Sequence, residues 1–163
     1  MSHETTLIYS EPLLKKAVLC FWRRSFGAGF GVVLVLIAIL LAFLVARGDA
    51  SWMVGVLGSV LALAIAMAVA VYVIHYRNAI SKFREMGDAK AIFRAEESSF
   101  TMTSSIGTSS FRWSATKEIW QFPDVWLLLF SKAQFVTLPT ACLPLEMQSF
   151  IVQQVRSSGG KIR

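Results

Sequence analysis

Two apolar stretches decide the fold: residues 26–46 read FGAGFGVVLVLIAILLAFLVA, and residues 51–74 read SWMVGVLGSVLALAIAMAVAVYVI. Neither stretch contains a charged residue. A bilayer core of about 30 Å requires about 20 helical residues, so each stretch is long enough to cross it. An extended segment would leave its backbone polar groups unpaired in lipid, so both spans are predicted to be helices. Only residues 47–50 connect them, which predicts an antiparallel transmembrane hairpin over residues 26–76.

The composition of the whole chain agrees with a membrane protein. Hydrophobic residues make up 55% of its 163 residues and charged residues 16%, against roughly 25% in a typical globular chain. The net charge of +6 is divided unevenly, because residues 26–76 carry none of it. Basic segments that flank an uncharged middle are typical of membrane topology, and they do not indicate a nucleic-acid surface.

Basic residues lie almost entirely on one side of the predicted hairpin. Between the spans there is only Arg47. Outside them, the basic residues near the span ends are Lys15, Lys16, Arg23, Arg24, Arg77, Lys82, Arg84, Lys90 and Arg94. The positive-inside rule therefore predicts a protein of the inner (cytoplasmic) membrane with both termini in the cytoplasm. Cys20 and Cys142 have no CxxC spacing and are predicted to be free thiols.

Small residues occur on both predicted spans at helical spacing. The first span carries Gly27-x-x-x-Gly31, and the second carries a stripe formed by Gly58, Ala62, Ala66 and Ala70. Because small side chains let helices approach closely in lipid, we expect these faces to pack against each other within the hairpin. The alternative is that Gly27 and Gly31 form a homodimer face, which would make the protein a homo-oligomer. Neither span contains Asp, Glu, Lys, Arg or His, which argues against a proton relay or an ion pathway lined by this hairpin alone.

The N-terminal segment, residues 1–25, is predicted to contain a short strand and an amphipathic helix. Residues 5–9 are β-prone, and Ser10-Glu11-Pro12 is typical of a helix start. The apolar residues that follow share one helical face: Leu13, Leu14, Ala17, Val18 and Phe21. Such a helix either lies along the inner membrane surface or packs on the domain that follows the hairpin.

Residues 77–163 are predicted to form a small α+β domain. The second helix is expected to end at Gly87, a typical C′ residue. Short β-prone stretches follow at 91–95, 99–103, 108–113, 119–122, 125–130 and 134–138, and the last two are joined by a turn at 131–133. Pro144 then begins a helix whose apolar face consists of Met147, Ile151 and Val155. This order predicts an antiparallel sheet or partial barrel capped by a C-terminal helix.

The apolar positions of this domain resemble a known family. The pattern comprises Phe111-x-Trp113, Ile119, the strand Trp126-Leu127-Leu128-Leu129-Phe130, the strand Phe135-Val136-Thr137-Leu138-Pro139, and Phe150 in the last helix. Together with the leader and the hairpin, it is similar to the YcxB-like proteins, although Thr140 stands where that family usually has a basic residue. The resemblance implies a pleckstrin-homology-like domain on a membrane hairpin, and it brings no catalytic residues.

No motif for catalysis, metal binding or a cofactor is present in the sequence. The two histidines, His3 and His75, belong to no HExxH pattern, the cysteines are not paired, and there is no GxSxG elbow or glycine-rich phosphate loop. We therefore expect a protein that is not an enzyme and has no metal or cofactor.

Binding is the chemistry that remains. Basic residues beside the spans are candidates for contact with anionic lipid or a partner, namely Lys15, Lys16, Arg23, Arg24, Lys82 and Arg84. The simpler alternative is that these charges only set the topology. Trp113, Trp120 and Trp126 fit a core; alternatively Trp120 or Trp126, which flank the turn at Pro123, is exposed and anchors a partner.

Three functions agree with these features. The leading hypothesis is a non-enzymatic membrane protein whose cytosolic domain binds a partner protein or the membrane surface. The first alternative is a membrane-resident immunity protein that neutralises a pore-forming or membrane-active toxin, because blocking assembly in the bilayer needs only surface complementarity. The second alternative is an accessory or regulatory subunit of a transporter.

Overall fold

The computed structural model describes residues 2–131 and 134–163, and its elements follow the predicted order. The helices are α1 (Glu11–Ala46), α2 (Trp52–Glu85) and α3 (Leu145–Ser157). The strands are β1 (His3–Ile8), β2 (Lys90–Ala95), β3 (Ser99–Ser104), β4 (Gly107–Arg112), β5 (Glu118–Gln121), β6 (Val125–Leu129), β7 (Phe135–Pro139) and β8 (Lys161–Ile162). Short 3₁₀ turns occupy Trp113–Ala115 and Thr140–Cys142. Residues 132 and 133 of the predicted 131–133 turn lie outside the described residues.

The chain forms two compact units whose boundaries differ from the division into residues 1–25, 26–76 and 77–163. One unit, called the sheet domain below, combines Asn78–Arg163 with the N-terminal residues up to Val18. The other, called the hairpin, is Leu19–Arg77. The first 18 residues belong to the sheet domain because β1 is one of its strands. The hairpin is therefore an insertion between β1 and β2.

The hairpin consists of long helices with little buried surface. Within the part of the chain that the structure describes, α1 and α2 are the two helices long and apolar enough to cross a membrane. The α1 helix is kinked at Gly27, whose φ of 67° and ψ of 169° lie outside the helical region. A positive φ of this size favours glycine, so Gly27 permits the kink. In the connecting turn, the Ser51 N–H donates to the Asp49 carboxylate at 2.8 Å, which lowers the pKa of Asp49.

The N-terminal strand completes the first sheet, which has the order β1-β2-β3-β4. β1 pairs antiparallel with β2, with His3 opposite Ala95 and Ile8 opposite Lys90. The Tyr9 N–H continues the ladder by donating to the Ala89 carbonyl at 2.8 Å. The paired ends of β1 and β2 therefore lead directly into α1 and out of α2.

The second sheet has the order β7-β6-β5-β8, and the sequence did not predict its last strand. β8 runs parallel to β5 after α3 has returned the chain. Gly160 makes this return possible, because a Cβ there would lie 2.4 Å from Cγ1 of Val155 and 2.9 Å from the Thr116 carbonyl oxygen. The two sheets do not close into a barrel. The predicted antiparallel, partly open sheet with a C-terminal helix is confirmed.

The core of the sheet domain is built from alternate strand residues and one face of α3. The predicted α3 face is confirmed, because Met147, Ile151 and Val155 are buried. Three residues in the first turns of α1 are also buried, namely Leu14, Ala17 and Val18. Since these residues belong to the sheet domain, the structure favours the interpretation in which the N-terminal helix packs on that domain.

Candidate binding surfaces

The basic residues at the helix ends are exposed, as a binding role requires. Lys15, Lys82 and Arg84 are exposed side chains of the sheet domain. Lys16 forms an ion pair with Asp124, and both side chains remain 55% exposed. Such an exposed pair contributes at most about 1 kcal/mol. Lys15, Lys82 and Arg84 are thus the charges of this group that stay available for an anionic ligand.

Two further basic candidates belong to the other compact unit. Arg23 and Arg24 are exposed residues of α1 within the hairpin. They precede the kink at Gly27 and the apolar stretch that follows it. Their position next to that stretch agrees equally with lipid contact and with a role in topology alone.

The hypothesis of an exposed tryptophan anchor is wrong. Trp120 and Trp126 are only 7% and 8% exposed. The Trp120 indole N–H donates to the Glu118 carboxylate at 2.7 Å, which satisfies its polar group inside the domain. Both residues lie on strands of the second sheet, β5 and β6, in which consecutive residues on opposite faces are buried.

Trp126 nevertheless forms part of an open groove along α3. The groove has a volume of about 580 Å³. Its other lining residues lie on the face of α3 that turns away from the core: Leu145, Gln148, Ser149, Val152, Gln153, Arg156 and Ser157. Leu145 is 79% exposed, which is high for a leucine in a folded domain. The groove thus combines an apolar floor and rim with amide, hydroxyl and guanidinium groups.

Sequence reasoning missed this groove although a signal was present. Leu145, Val152 and Arg156 recur at seven- and four-residue steps, the spacing of one helical face. The prediction for α3 used only the apolar face formed by Met147, Ile151 and Val155. The second face is mixed in polarity, so the hydrophobic pattern alone did not identify it.

The small residues of the spans do not form the predicted interface within the hairpin. Gly27, Gly31, Ala62, Ala66 and Ala70 are all exposed. A Cβ on Gly27 or Gly31 would have no neighbour within 4 Å. Of the predicted set, Gly58 lies on the inner face, where a Cβ would be 4.0 Å from Cδ2 of Leu41.

Larger side chains occupy the inner face of the hairpin instead. The half-buried residues of α1 recur at three- and four-residue steps: Phe26, Phe30, Leu34, Ile37, Leu41 and Leu44. On α2 the corresponding face contains Val54, Leu57, Gly58, Leu61, Ala64, Ala68 and Val71. This is the three- and four-residue spacing of paired helices, and the face is formed by large residues on α1 and by large and small residues on α2. The prediction failed because it chose the small residues and not the heptad spacing.

Polar side chains at the junctions have structural partners. The His75 ring lies 4.8 Å from the Phe21 ring, and the Trp22 indole N–H donates to the Ala68 carbonyl at 2.7 Å, both within the hairpin. In the sheet domain, the His3 ring lies 4.8 Å from the Phe150 ring. Among the described residues there is no group of three or more His, Cys, Asp or Glu side chains arranged to hold a metal ion.

Tyr9 is a buried polar residue that the sequence did not single out. Its hydroxyl donates to the Thr137 carbonyl at 2.9 Å, which joins the end of β1 to β7. Burial raises the pKa of the Tyr9 phenol, because the phenolate form is poorly solvated there. Tyr9 therefore serves as a neutral hydrogen-bonding link between the two sheets.

The residues that carried the family resemblance are buried or half-buried. Trp113 is 1% exposed, and its indole N–H donates to the Glu96 carbonyl at 2.7 Å. Ile119 and Leu138 are fully buried. Thr140, in place of a basic residue, donates its hydroxyl to the Pro123 carbonyl at 2.8 Å and so supports the turn before β6. Most of the pattern therefore specifies the fold, and Trp126 is the member that also lines the groove along α3.

These features define a class of protein: two long apolar helices inserted between the first two strands of an open, two-sheet α+β domain that ends in a helix. Residues 96–155 match the family model described as YcxB-like protein. The match covers β3 through most of α3, so this part of the chain is similar to the YcxB-like proteins, which confirms the resemblance predicted for the domain after the hairpin. No curated protein and no solved structure matches the chain significantly.

Proposed function

We propose that this is a non-enzymatic integral protein of the inner membrane, whose sheet domain lies in the cytoplasm and binds the membrane surface or a partner protein. The observation that supports the proposal best is the pairing of β1 with β2. Because the two strands belong to one compact domain, both ends of the hairpin leave it on the same side of the bilayer. That side carries the excess of basic residues, as the positive-inside rule requires for the cytoplasm.

The orientation has a direct test. Single cysteines at Ser158, in the sheet domain, and at Ala50, between the spans, are introduced after Cys20 and Cys142 have been changed to serine. A membrane-impermeant maleimide added to intact cells is expected to label Ala50→Cys and to spare Ser158→Cys until the membrane is opened. Labelling of Ser158→Cys in intact cells would contradict the proposed placement.

Binding to the membrane surface is supported by Lys15, Lys82 and Arg84. These three cations are exposed, and the sheet domain that carries them is joined directly to the hairpin. Each cation near an anionic surface is worth about 1 kcal/mol, so three together give a measurable preference for anionic lipid.

Lipid selectivity is best measured on the full chain, because the sheet domain includes β1 from the other side of the hairpin. Native mass spectrometry counts the phosphatidylglycerol molecules retained by the detergent-solubilised protein. The variant with Lys15, Lys82 and Arg84 changed to glutamine is expected to retain fewer of them. The matched control changes the same number of exposed cations elsewhere: Arg112, Lys117 and Lys161. Equal lipid retention by both variants would show that the first three charges only set topology.

Binding of a partner protein is the second candidate, and the groove along α3 favours it. An exposed leucine beside a tryptophan floor and an arginine is typical of protein contact surfaces. Changing Leu145 to aspartate is expected to abolish capture of a partner from solubilised native membranes, whereas Ser158→Asp, just beyond α3, leaves it intact. The roles of immunity protein and of transporter subunit stay predictions within this second candidate.

A further inference from the structure

The outer edge of β4 presents backbone groups that have no partner in the described chain. β3 and β4 are joined by a two-residue turn, so Ser104 and Gly107, which flank the turn, form a hydrogen-bonded pair. Beyond them, every second pair of opposite residues is hydrogen-bonded, as in any antiparallel ladder. The bond from the Trp113 N–H to the Ser98 carbonyl, 3.3 Å, continues the same alternation. Thr108 and Ser110 therefore direct their N–H and C=O groups away from β3.

Two other edge strands of the domain, β1 and β7, form hydrogen bonds to segments of the same chain. At the edge of β1, the Thr5 hydroxyl donates to the Cys142 carbonyl at 2.7 Å and the Ile8 N–H to the Cys142 sulfur at 3.4 Å. At β7, an edge strand of the second sheet, the Tyr9 hydroxyl donates to the Thr137 carbonyl at 2.9 Å. No corresponding bond reaches the backbone N–H or C=O of Thr108 or Ser110 in residues 2–131 and 134–163, although their hydroxyls bond to those of Thr103 and Thr101 on β3.

The side chains of β4 do not block the approach of another strand. Proteins usually protect an open edge with lysine, proline or a bulge. Here Thr108, Ser109 and Ser110 are small, uncharged and exposed, and the one charge of the strand is Arg112 at its end. An edge of this kind is suited to strand addition.

We propose that β4 pairs antiparallel with β4 of a second copy of this chain, so that the first sheets of two copies become one continuous sheet. A two-fold register centred on Ser109 places Thr108 opposite Ser110 of the second copy and satisfies the outward groups of both strands. It also places Arg112 opposite Ile106 of the second copy, so the two arginines lie at opposite ends and do not repel. The register thus pairs the outward hydrogen-bonding groups of both strands and keeps their like charges apart.

Cross-linking at the symmetry centre tests this pairing. In the proposed register the two Ser109 residues face each other as a non-hydrogen-bonded pair with Cα atoms about 4.5 Å apart, within the range that a disulfide bridges. Ser109→Cys is introduced into the full chain with Cys20 and Cys142 changed to serine, and native membranes are oxidised. We expect roughly tenfold more disulfide-linked dimer than for Thr103→Cys, because apposed thiols react at high effective concentration. Thr103 is the control because it is exposed on β3, one strand inward.

A charge on the edge provides a second, independent test. Ser110→Lys places two like charges at the proposed seam, whereas Thr103→Lys adds the same charge on β3. In mild detergent the parent protein and Thr103→Lys are expected at twice the chain mass of 18.1 kDa, and Ser110→Lys at the single mass. The proposal is overturned if Ser109→Cys links no better than Thr103→Cys, if it links to a different protein instead, or if Ser110→Lys stays dimeric. None of these readouts depends on what the domain binds, so this proposal and the proposed function fail separately.

Discussion

The hairpin and the sheet domain use the same apolar residue types in opposite ways. In the hairpin Val35, Leu36 and Ile39 are between 58% and 61% exposed, whereas in the sheet domain Ile119, Leu127 and Leu138 are fully buried. Burial of apolar surface holds the sheet domain together in water. In the hairpin Phe21 and Ala68 are the buried apolar residues of the described chain, so most of its apolar surface requires lipid as its solvent. A substitution should therefore affect the stability of one region and leave that of the other unchanged.

The largest difference is expected for a charge on β1, which serves the sheet domain although it precedes the hairpin. Leu7 is fully buried, and Thr6 next to it is exposed on the opposite face of the strand. Leu7→Asp would bury an unpaired carboxylate at a cost of several kcal/mol, so we expect the sheet domain to unfold. The hairpin, in contrast, should still insert into the membrane.

Limited proteolysis of membranes after alkaline extraction measures both outcomes for this variant. The Leu7→Asp protein is expected to stay in the pellet and to lose its protease-resistant C-terminal fragment. Thr6→Asp is the control and should keep that fragment. A resistant fragment in Leu7→Asp would show that β1 is dispensable for the domain.

A smaller contrast is expected for removal of a leucine side chain. Leu127→Ala leaves a cavity in the fully buried centre of β6 and should lower the free energy of unfolding by about 2–5 kcal/mol. Leu36→Ala, on the exposed face of α1, should lower it by less than about 0.5 kcal/mol. Thermal unfolding in detergent, followed by near-ultraviolet circular dichroism, compares the two. Equal shifts in Tm would contradict the expectation that a buried leucine of the sheet domain contributes more to stability than an exposed leucine of the hairpin.

Replacing a glycine by alanine is also expected to affect the sheet domain and the hairpin differently. Gly160→Ala places a methyl group 2.4 Å from Cγ1 of Val155, and we expect a loss of about 1–3 kcal/mol from overpacking. Gly29→Ala in the hairpin has no neighbour within 4 Å and should be tolerated. The same thermal measurement applies, and a neutral Gly160→Ala would show that α3 and β8 adjust freely.

Periodicity predicted most elements of both regions because local pattern determines them. The charge-free stretches predicted two helices, and the alternation around Phe93 and Phe100 predicted strands whose inward residues are buried. The pairing of β1 with β2 was not predicted, since the two strands are separated by the whole hairpin. Such a long-range contact leaves no mark in a local pattern. β8 was missed because two residues are too few to show alternation.

The candidate sites were predicted less well, because exposure depends on tertiary contacts. Lys15 and Lys82 were expected at the surface and are exposed, since charge alone favours solvent. Trp120 and Trp126 were considered as exposed anchors because they flank a turn, but the strands that they occupy bury them. The groove along α3 and the open edge of β4 depend on how the helix and the strands are arranged in three dimensions. A local sequence pattern does not show that arrangement.

The smallest effect concerns Tyr9, the buried link between the two sheets. Tyr9→Phe removes the hydrogen bond to the Thr137 carbonyl and should cost about 1 kcal/mol at neutral pH. Because the folded state raises the pKa of Tyr9, the neutral phenol contributes its full stability below the unfolded value of about 10, and that contribution is lost as the pH rises above it. The parent protein should therefore lose stability between pH 9 and pH 11 more steeply than Tyr9→Phe.

Thermal unfolding at a series of alkaline pH values resolves this difference, with Tyr72→Phe in the hairpin as the matched control. That control removes a phenol hydroxyl from the other compact unit and leaves the Tyr9 hydrogen bond in place, so the alkaline loss assigned to Tyr9 should remain. If Tyr9→Phe also followed the parent, the alkaline loss would arise from other groups. Tyr9 would then link the sheets without being the residue that makes the domain sensitive to alkali.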